Sequence, residues 1–231
     1  MSTRRLFVYG AGGHGKVVGD ILLACKNPDF VGFIDDRADL RDTRVLGLPV
    51  LGDGEWLQHE ARMTQVAVAL GVGDNFLRKR LAEKCISWGV ELVTVVHPTA
   101  SVSGSARLGR GTVVMAQAAI NADVKIGEGA IVNTSAVVEH DVDIGNFANV
   151  SPKAVMAGAS RLGMLSHLAI GASTIPCVSI GTMTIVGAGS VVVRDIPDGV
   201  VAFGVPARVR GTLRILPTLS AAVARKHDNK Y

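Results

Sequence analysis

From Val102 to Pro197 the chain keeps one register of sixteen six-residue units. An aliphatic residue opens nearly every unit: Val102, Leu108, Val114, Ile120, Ile126, Val132, Val138, Ile144, Val150, Met156, Leu162, Leu168, Ile180, Val186 and Val192, with Thr174 the exception. Four residues later comes a small or β-branched side chain, as at Ala118, Ala130, Ala148 and Ser166. A period of six suits neither an amphipathic helix nor an alternating strand; it is the repeat of a parallel β-helix. Each unit then makes one face of a triangular coil, the aliphatic residue filling the axis and the small residue letting the chain turn. Gly or Asn after the aliphatic residue, as at Gly109, Asn121, Gly127 and Gly145, suits a tight turn. A solenoid without a second layer needs partner surface, so an oligomer is expected.

The first hundred residues follow other rules. Arg5 to Tyr9 reads as an apolar strand running into Gly10-Ala11-Gly12-Gly13-His14-Gly15, followed by a helical pattern from Lys16 to Cys25. A second strand, Phe30 to Ile34, ends at Asp35-Asp36, and Val45 to Leu51 holds a short Gly-Leu-Pro turn element. Next come a strand from Gln65 to Leu70, a loop Gly71-Val72-Gly73-Asp74, a helix from Asn75 to Trp88 and a strand from Glu91 to Val96. Alternation of this kind predicts a small parallel sheet with helices packed on it. The spacing therefore predicts a Rossmann-like α/β domain over 1–97, a β-helix over 98–211 and a tail over 212–231. The glycine motif sits between strand and helix, and Asp35 follows its last glycine by twenty residues, where a ribose-binding acid belongs. Phosphate or ribose binding is expected there. A full dinucleotide fold does not fit in so short a domain.

Composition narrows the class. At 48% hydrophobic residues the chain can bury cores without disulfides, and Cys25, Cys85 and Cys177, with no CxxC, read as reduced thiols of a cytoplasmic protein. No signal peptide and no membrane span are expected. The net charge of +4, partly in a tail bearing Arg225, Lys226 and Lys230, is too mild for a nucleic-acid partner.

The motifs Tyr-Gly-Ala-Gly-Gly-His-Gly, Phe-Ile-Asp-Asp, Leu-Gly-Val-Gly-Asp-Asn, Val-His-Pro-Thr-Ala, Val-Val-Glu-His-Asp and Gly-Val-Pro-Ala-Arg occur in this order. Together they resemble the NeuD/PglD-type bacterial sugar acetyltransferases, from residue 5 to about 210. The resemblance implies a left-handed β-helix, a homotrimer, acetyl-CoA lying between subunits, no metal, and a nucleotide-sugar acceptor on the amino-terminal domain. It implies acceptor contacts at Gly12, Gly13, His14, Asp35, Asp36 and Gly71. It also implies His140 as general base, Asp141 as its orienting partner, the Gly158 amide as oxyanion donor, and acetyl-CoA contacts at Asn149, Gly158, Ile170 and Ala188. Where related UDP-sugar enzymes carry a second histidine, this chain has Asn149, which can hydrogen-bond but not titrate.

His140 has support of its own. It is third in its unit, neither axial nor at the small position, and is flanked by Glu139, expected to be exposed, and Asp141. His97 is expected to cap a turn. His140 and His167 are 27 residues apart, not a multiple of eighteen, so they share no face for a metal. The leading expectation is N-acetylation of a UDP- or GDP-linked 4-amino-4,6-dideoxy sugar. The alternatives are a sialic-acid-type sugar O-acetyltransferase and a non-catalytic scaffold.

Overall fold

The computed structural model describes residues 4–213. Its amino-terminal part contains β1 (Arg5–Tyr9), α1 (Gly13–Ala24), β2 (Phe30–Ile34), β3 (Arg44–Val45), β4 (Leu48–Gly52), α2 (Gly54–Met63), β5 (Val66–Leu70), α3 (Asn75–Ser87) and β6 (Glu91–Leu92). These strands form one sheet in the order β3-β4-β2-β1-β5-β6, parallel except for the β3–β4 hairpin. Strand β5 is buried throughout, and so is β1 after its first residue, as expected of central strands covered on both faces. The strand order reverses beside β1. A crevice therefore opens between the β1 and β5 loops at the carboxyl ends of the strands, the usual place for a ligand in such sheets.

Two local expectations need correction, and a third gains detail. Helix α1 starts at Gly13, not Lys16, because the glycine motif supplies its first turn: the Lys16 N–H already donates to the Gly12 carbonyl. The Gly-Leu-Pro element is a hairpin whose two-residue loop, Leu46-Gly47, has φ of 51° and 78°, which matches the strand twist. The strand from Glu91 to Val96 is two strands in two sheets. Leu92 pairs with Val68, whereas Val95 in β7 (Val95–Val96) pairs with Val113 of the coil.

From β7 through the strand Ser173–Thr174 each strand pairs in parallel with the one eighteen residues later, as in the series Val95, Val113, Ile131, Asn149, His167 and Ile185. Three sheets result, one per face of the coil. The aliphatic column and the small residues between its members form one continuous buried core. Thr174 fits because its hydroxyl has partners inside the coil. It accepts from the Ala157 N–H at 3.0 Å and donates to Ser160 Oγ at 3.3 Å.

The turns are made differently than the glycine positions suggest. Positive φ occurs at every sixth residue from 111 to 189, three places after the aliphatic residue; only Gly111, Gly129, Gly171 and Gly189 in that series are glycine. The glycines directly after the aliphatic residue serve stacking. A Cβ at Gly109, Gly127, Gly145, Gly163 or Gly181 would lie 2.5 Å from backbone of the next coil. Glycine there permits close coil-on-coil approach.

The first coil face carries the amino-terminal domain: Val95, Val113, Met115 and Ile131 share a core with Leu6, Val8, Val18 and Phe33. No helix among the described residues is long and apolar enough to cross a membrane. The tail beyond residue 213, with His227, lies outside the described residues.

Candidate active site and acceptor crevice

His140 stands at the corner between the second and third faces, after the strand Val137–Val138. Its Nδ1 and Asp141 Oδ2 are 2.8 Å apart. Asp141 occupies a positive-φ turn position (φ 60°), a conformation Asp tolerates better than most residues. The hydrogen bond that His140 donates to Asp141, with smaller help from the charges of Asp141 and Glu139, raises the His140 pKa above its ordinary value. With Nδ1–H donated to the carboxylate, Nε2 keeps its lone pair. Both side chains are well exposed, at 64% and 61%. Glu139 is only half-buried rather than exposed, and accepts from Asn121 Nδ2 at 2.9 Å.

Gly158, eighteen residues on, lies directly beneath the imidazole. A Cβ there would be 2.6 Å from His140 Nε2 and 2.7 Å from Cε1, so the ring occupies the volume of a missing side chain. The neighbouring Ala159 N–H donates to the His140 carbonyl at 2.9 Å, while the Gly158 N–H donates to no described residue. An open groove of about 680 Å³ runs from this corner along the third face, past Asp141, Lys125, Asp143 and Arg161.

The other expected coenzyme contacts are elsewhere. Ile170 and Ala188 stack one coil apart at the corner between the first and second faces, and both are exposed. Asn149 lies on the first face, between Ile131 and His167, buried, with no hydrogen-bond partner for its Oδ1 among the described residues. Within one chain, then, His140 and Gly158 share a corner that Asn149, Ile170 and Ala188 do not reach. His167 is paired with Ser151 Oγ at 2.6 Å. Burial, then the charge of Arg78, lowers its pKa. His97 Nδ1 accepts from the Thr99 N–H at 3.0 Å, closing a turn.

In the crevice the glycines divide into two groups. A Cβ at Gly15 would strike the Gly10 carbonyl at 1.7 Å, and one at Gly71 would meet it at 2.6 Å; these residues let two loops and a helix cross closely. Gly71 is thus a packing residue. At Gly12 and Gly13 a Cβ would meet only Arg37, at 3.7 Å, or nothing within 4 Å. Helices α2 and α3 are capped by Asp53 and Asp74, but α1 has no side-chain cap and no acid in its first turn. Its first N–H groups are therefore available to an anion.

The two acids after β2 already have partners. Asp36 Oδ1 accepts from Tyr9 Oη at 2.8 Å and the Gly54 N–H at 2.9 Å. Asp35 accepts from the Ala11 N–H at 2.7 Å and from the Arg37 guanidinium. His14, on α1, has its Nε2 buried without a partner among the described residues. Burial, then nearby Arg78, lowers its pKa to about 4, so it is neutral at pH 7.

Arg78, which the sequence did not single out, is fully buried at the seam between the two domains. Its Nε donates to Gly129 O at 2.7 Å, and Nη1 to Val72 O and Gly73 O at 3.1 and 2.9 Å. Its Nη2 donates to Asn75 Oδ1 and Phe147 O at 2.8 and 2.9 Å. One guanidinium thus joins the β5 loop to two coil corners. Burial lowers its pKa to about 9, against the opposing charge of Asp74. Among the described residues no three His, Cys, Asp or Glu side chains group as metal ligands.

A family model described as the PglD N-terminal domain matches residues 5–85. The chain is 44% identical to the perosamine N-acetyltransferase of Caulobacter crescentus, solved as a histidine-to-asparagine variant with CoA and GDP-perosamine. That comparison has a TM-score of 0.84 and covers 90% of this chain and 97% of that one. The acetyltransferase domain of PglB from Neisseria gonorrhoeae, in complex with acetyl coenzyme A, is 37% identical. It has a TM-score of 0.84 and covers 91% of this chain and all of that domain. The UDP-N-acetylbacillosamine N-acetyltransferase of Bacillus subtilis is 37% identical over 118 residues, which is 48% of this chain. The match spans half the length of that curated relative.

Proposed function

Because this chain belongs to the NeuD/PglD-type family of bacterial sugar acetyltransferases, with a Rossmann-like domain followed by a left-handed β-helix, we propose that it transfers an acetyl group from acetyl-CoA to the amino group of a nucleotide-linked 4-amino-4,6-dideoxy sugar. The observation that carries this reading is His140, oriented by Asp141 at 2.8 Å and seated on Gly158.

The geometry supports the following roles. The acceptor nitrogen attacks the thioester carbonyl carbon, and His140 Nε2 takes the proton that the nitrogen must lose. Asp141 holds the tautomer that leaves Nε2 basic and stabilises the imidazolium once formed. Negative charge develops on the carbonyl oxygen, and the Gly158 N–H, which donates to no described residue, is the candidate donor for it. Collapse breaks the carbon–sulfur bond, and the proton held by His140 can leave with the coenzyme's sulfur. The glycine loop and α1 bind the nucleotide, with His14 beside them.

We place the thioester between subunits of a homotrimer. His140 and Gly158 lie at one corner of the coil, while Asn149, Ile170 and Ala188 belong to another face and corner. If both sets serve one acetyl-CoA, they come from neighbouring subunits. The partly exposed stripe of Val137, Val155 and Val191, interrupted by Ser173, on the face between the corners supports such packing. The three cysteines are free, in keeping with work in the cytoplasm.

The direct test is release of CoA thiol with UDP- and GDP-linked 4-amino-4,6-dideoxy sugars, the product being checked by mass spectrometry for one added acetyl on nitrogen. Transfer confined to a sugar hydroxyl would overturn the N-acetylation reading, and no release with any sugar would leave a scaffold.

A further inference from the structure

We propose that the glycine loop meets the acceptor's diphosphate with the Arg37 guanidinium, and that Asp35 holds that guanidinium in place rather than binding a ribose. This rests on the acceptor reading above and specifies it further.

Three observations converge at the loop. First, Gly12 and Gly13 have room for a Cβ, and neither has a positive φ. Nothing within the protein requires glycine there, so the open backbone surface is available to a ligand. Second, α1 alone among the α-helices of the described residues lacks an acidic cap, leaving its N-terminal N–H groups and positive dipole end unneutralised. Third, a cation is fixed above that surface. Arg37 Nη2 is 3.7 Å from the Cβ position of Gly12, and the side chain is about half exposed.

Asp35 accounts for the fixing. Its Oδ1 accepts from the Arg37 N–H and Nε, each at 3.0 Å; its Oδ2 accepts from Arg37 Nη2 at 3.1 Å and the Ala11 N–H at 2.7 Å. Burial alone would raise this carboxyl, yet the hydrogen bonds from Arg37 and Ala11 hold it below the ordinary value. Both oxygens are spent on the loop and the arginine. Arg37 Nη1 has no partner among the described residues and is left for a ligand oxygen. A nucleoside diphosphate fits: its phosphates would lie between the Arg37 fork and the N–H groups of Gly13 and His14, which suits Arg better than Lys.

The test is calorimetric titration of the full chain with a nucleoside diphosphate, the matching monophosphate and the nucleoside, using acetyl-CoA binding and a thermal melt to verify the fold. Arg37→Gln should weaken diphosphate binding roughly ten- to hundredfold, the loss of a charge-assisted hydrogen bond, and leave the nucleoside nearly unaffected. Asp35→Asn is the sharper variant. A carboxylate merely near a diphosphate repels it, so its neutralisation would strengthen binding; as the holder of Arg37, its loss should weaken binding. The double variant should be little worse than Arg37→Gln, because the two residues act as one unit. Unchanged diphosphate affinity in Arg37→Gln, an equal loss for the nucleoside, or tighter binding in Asp35→Asn would each overturn the proposal while leaving the acceptor reading intact. If the wild-type chain binds acetyl-CoA but no nucleoside diphosphate, the acceptor reading fails and the proposal with it.

Discussion

One imidazole and the vacancy beneath it set the chemistry at the residue scale. His140→Ala should lower kcat by roughly 10²–10⁴, the usual contribution of a positioned base, with both KM values little changed. A variant with full turnover would mean that the amine arrives neutral and the site works by positioning alone. Because Asp141 raises the His140 pKa, the basic form takes over at a higher pH than in an ordinary histidine. The rate should therefore rise with pH through an inflection above 6.5. Asp141→Asn should move that inflection down and cost less than His140→Ala. A pH profile of kcat/KM on both proteins measures this, and an inflection that stays put would remove Asp141 from the account. His14 has the opposite sign. Its folded pKa is depressed, so the stability due to its neutral burial is present above about 6.5 and lost as pH falls toward about 4. Denaturation across that window should show the loss, and His14→Gln should flatten it. The Glu-His-Asp triplet could be read from the sequence through the family motif that carries it, since polar residues such as Arg110, Glu128 and Asn146 share the repeat position of His140. Arg78 could not: in Leu77-Arg78-Lys79-Arg80 it looks like one more solvated helix cation, and only the arrival of two coil corners buries it.

At the scale of elements, similar glycines have unequal costs. Gly145→Ala puts a Cβ 2.5 Å from the Met164 amide nitrogen and should destabilise by about 1–3 kcal/mol or more. Gly171→Ala has open space and only a left-handed turn (φ 64°) to adopt, worth about 1 kcal/mol. Urea denaturation of the two variants decides it, and equal losses would refute the stacking role. Gly158→Ala should fold yet lose turnover, because its methyl takes the place of the imidazole. The aliphatic period shows in the sequence because the axis admits only apolar side chains. The positive-φ period does not, since Gln117, Asp123, Phe147, Lys153 and Leu165 all occupy it and share no chemistry. The division of Glu91 to Val96 between two sheets was hidden for a related reason: both halves are short, carry aliphatic residues, and are distinguished only by their partners.

The whole molecule depends on a seam and on assembly. Arg78→Ala would strip partners from four backbone carbonyls and Asn75 Oδ1, and should cost about 3 kcal/mol or more in global stability. Thermal unfolding monitored in both domains would check it, and a loss confined to one domain would argue against a shared seam. A Val155→Asp change on the apolar stripe should disperse the subunits. Acetyl-CoA affinity should then fall while nucleotide affinity persists, since only the coenzyme site draws on two coil corners. Undiminished acetyl-CoA binding by a verified monomer would place that site within one chain.

His140 and its seat are eighteen residues apart, which is one full turn of the coil. The base and the floor beneath it therefore form a two-storey unit whose height is the strand spacing of about 4.8 Å, whatever the number of storeys above. Lengthening or trimming the stack by whole turns beyond Val186 leaves that unit unaltered, so the solenoid can change its reach toward the coenzyme's far end without retuning the base.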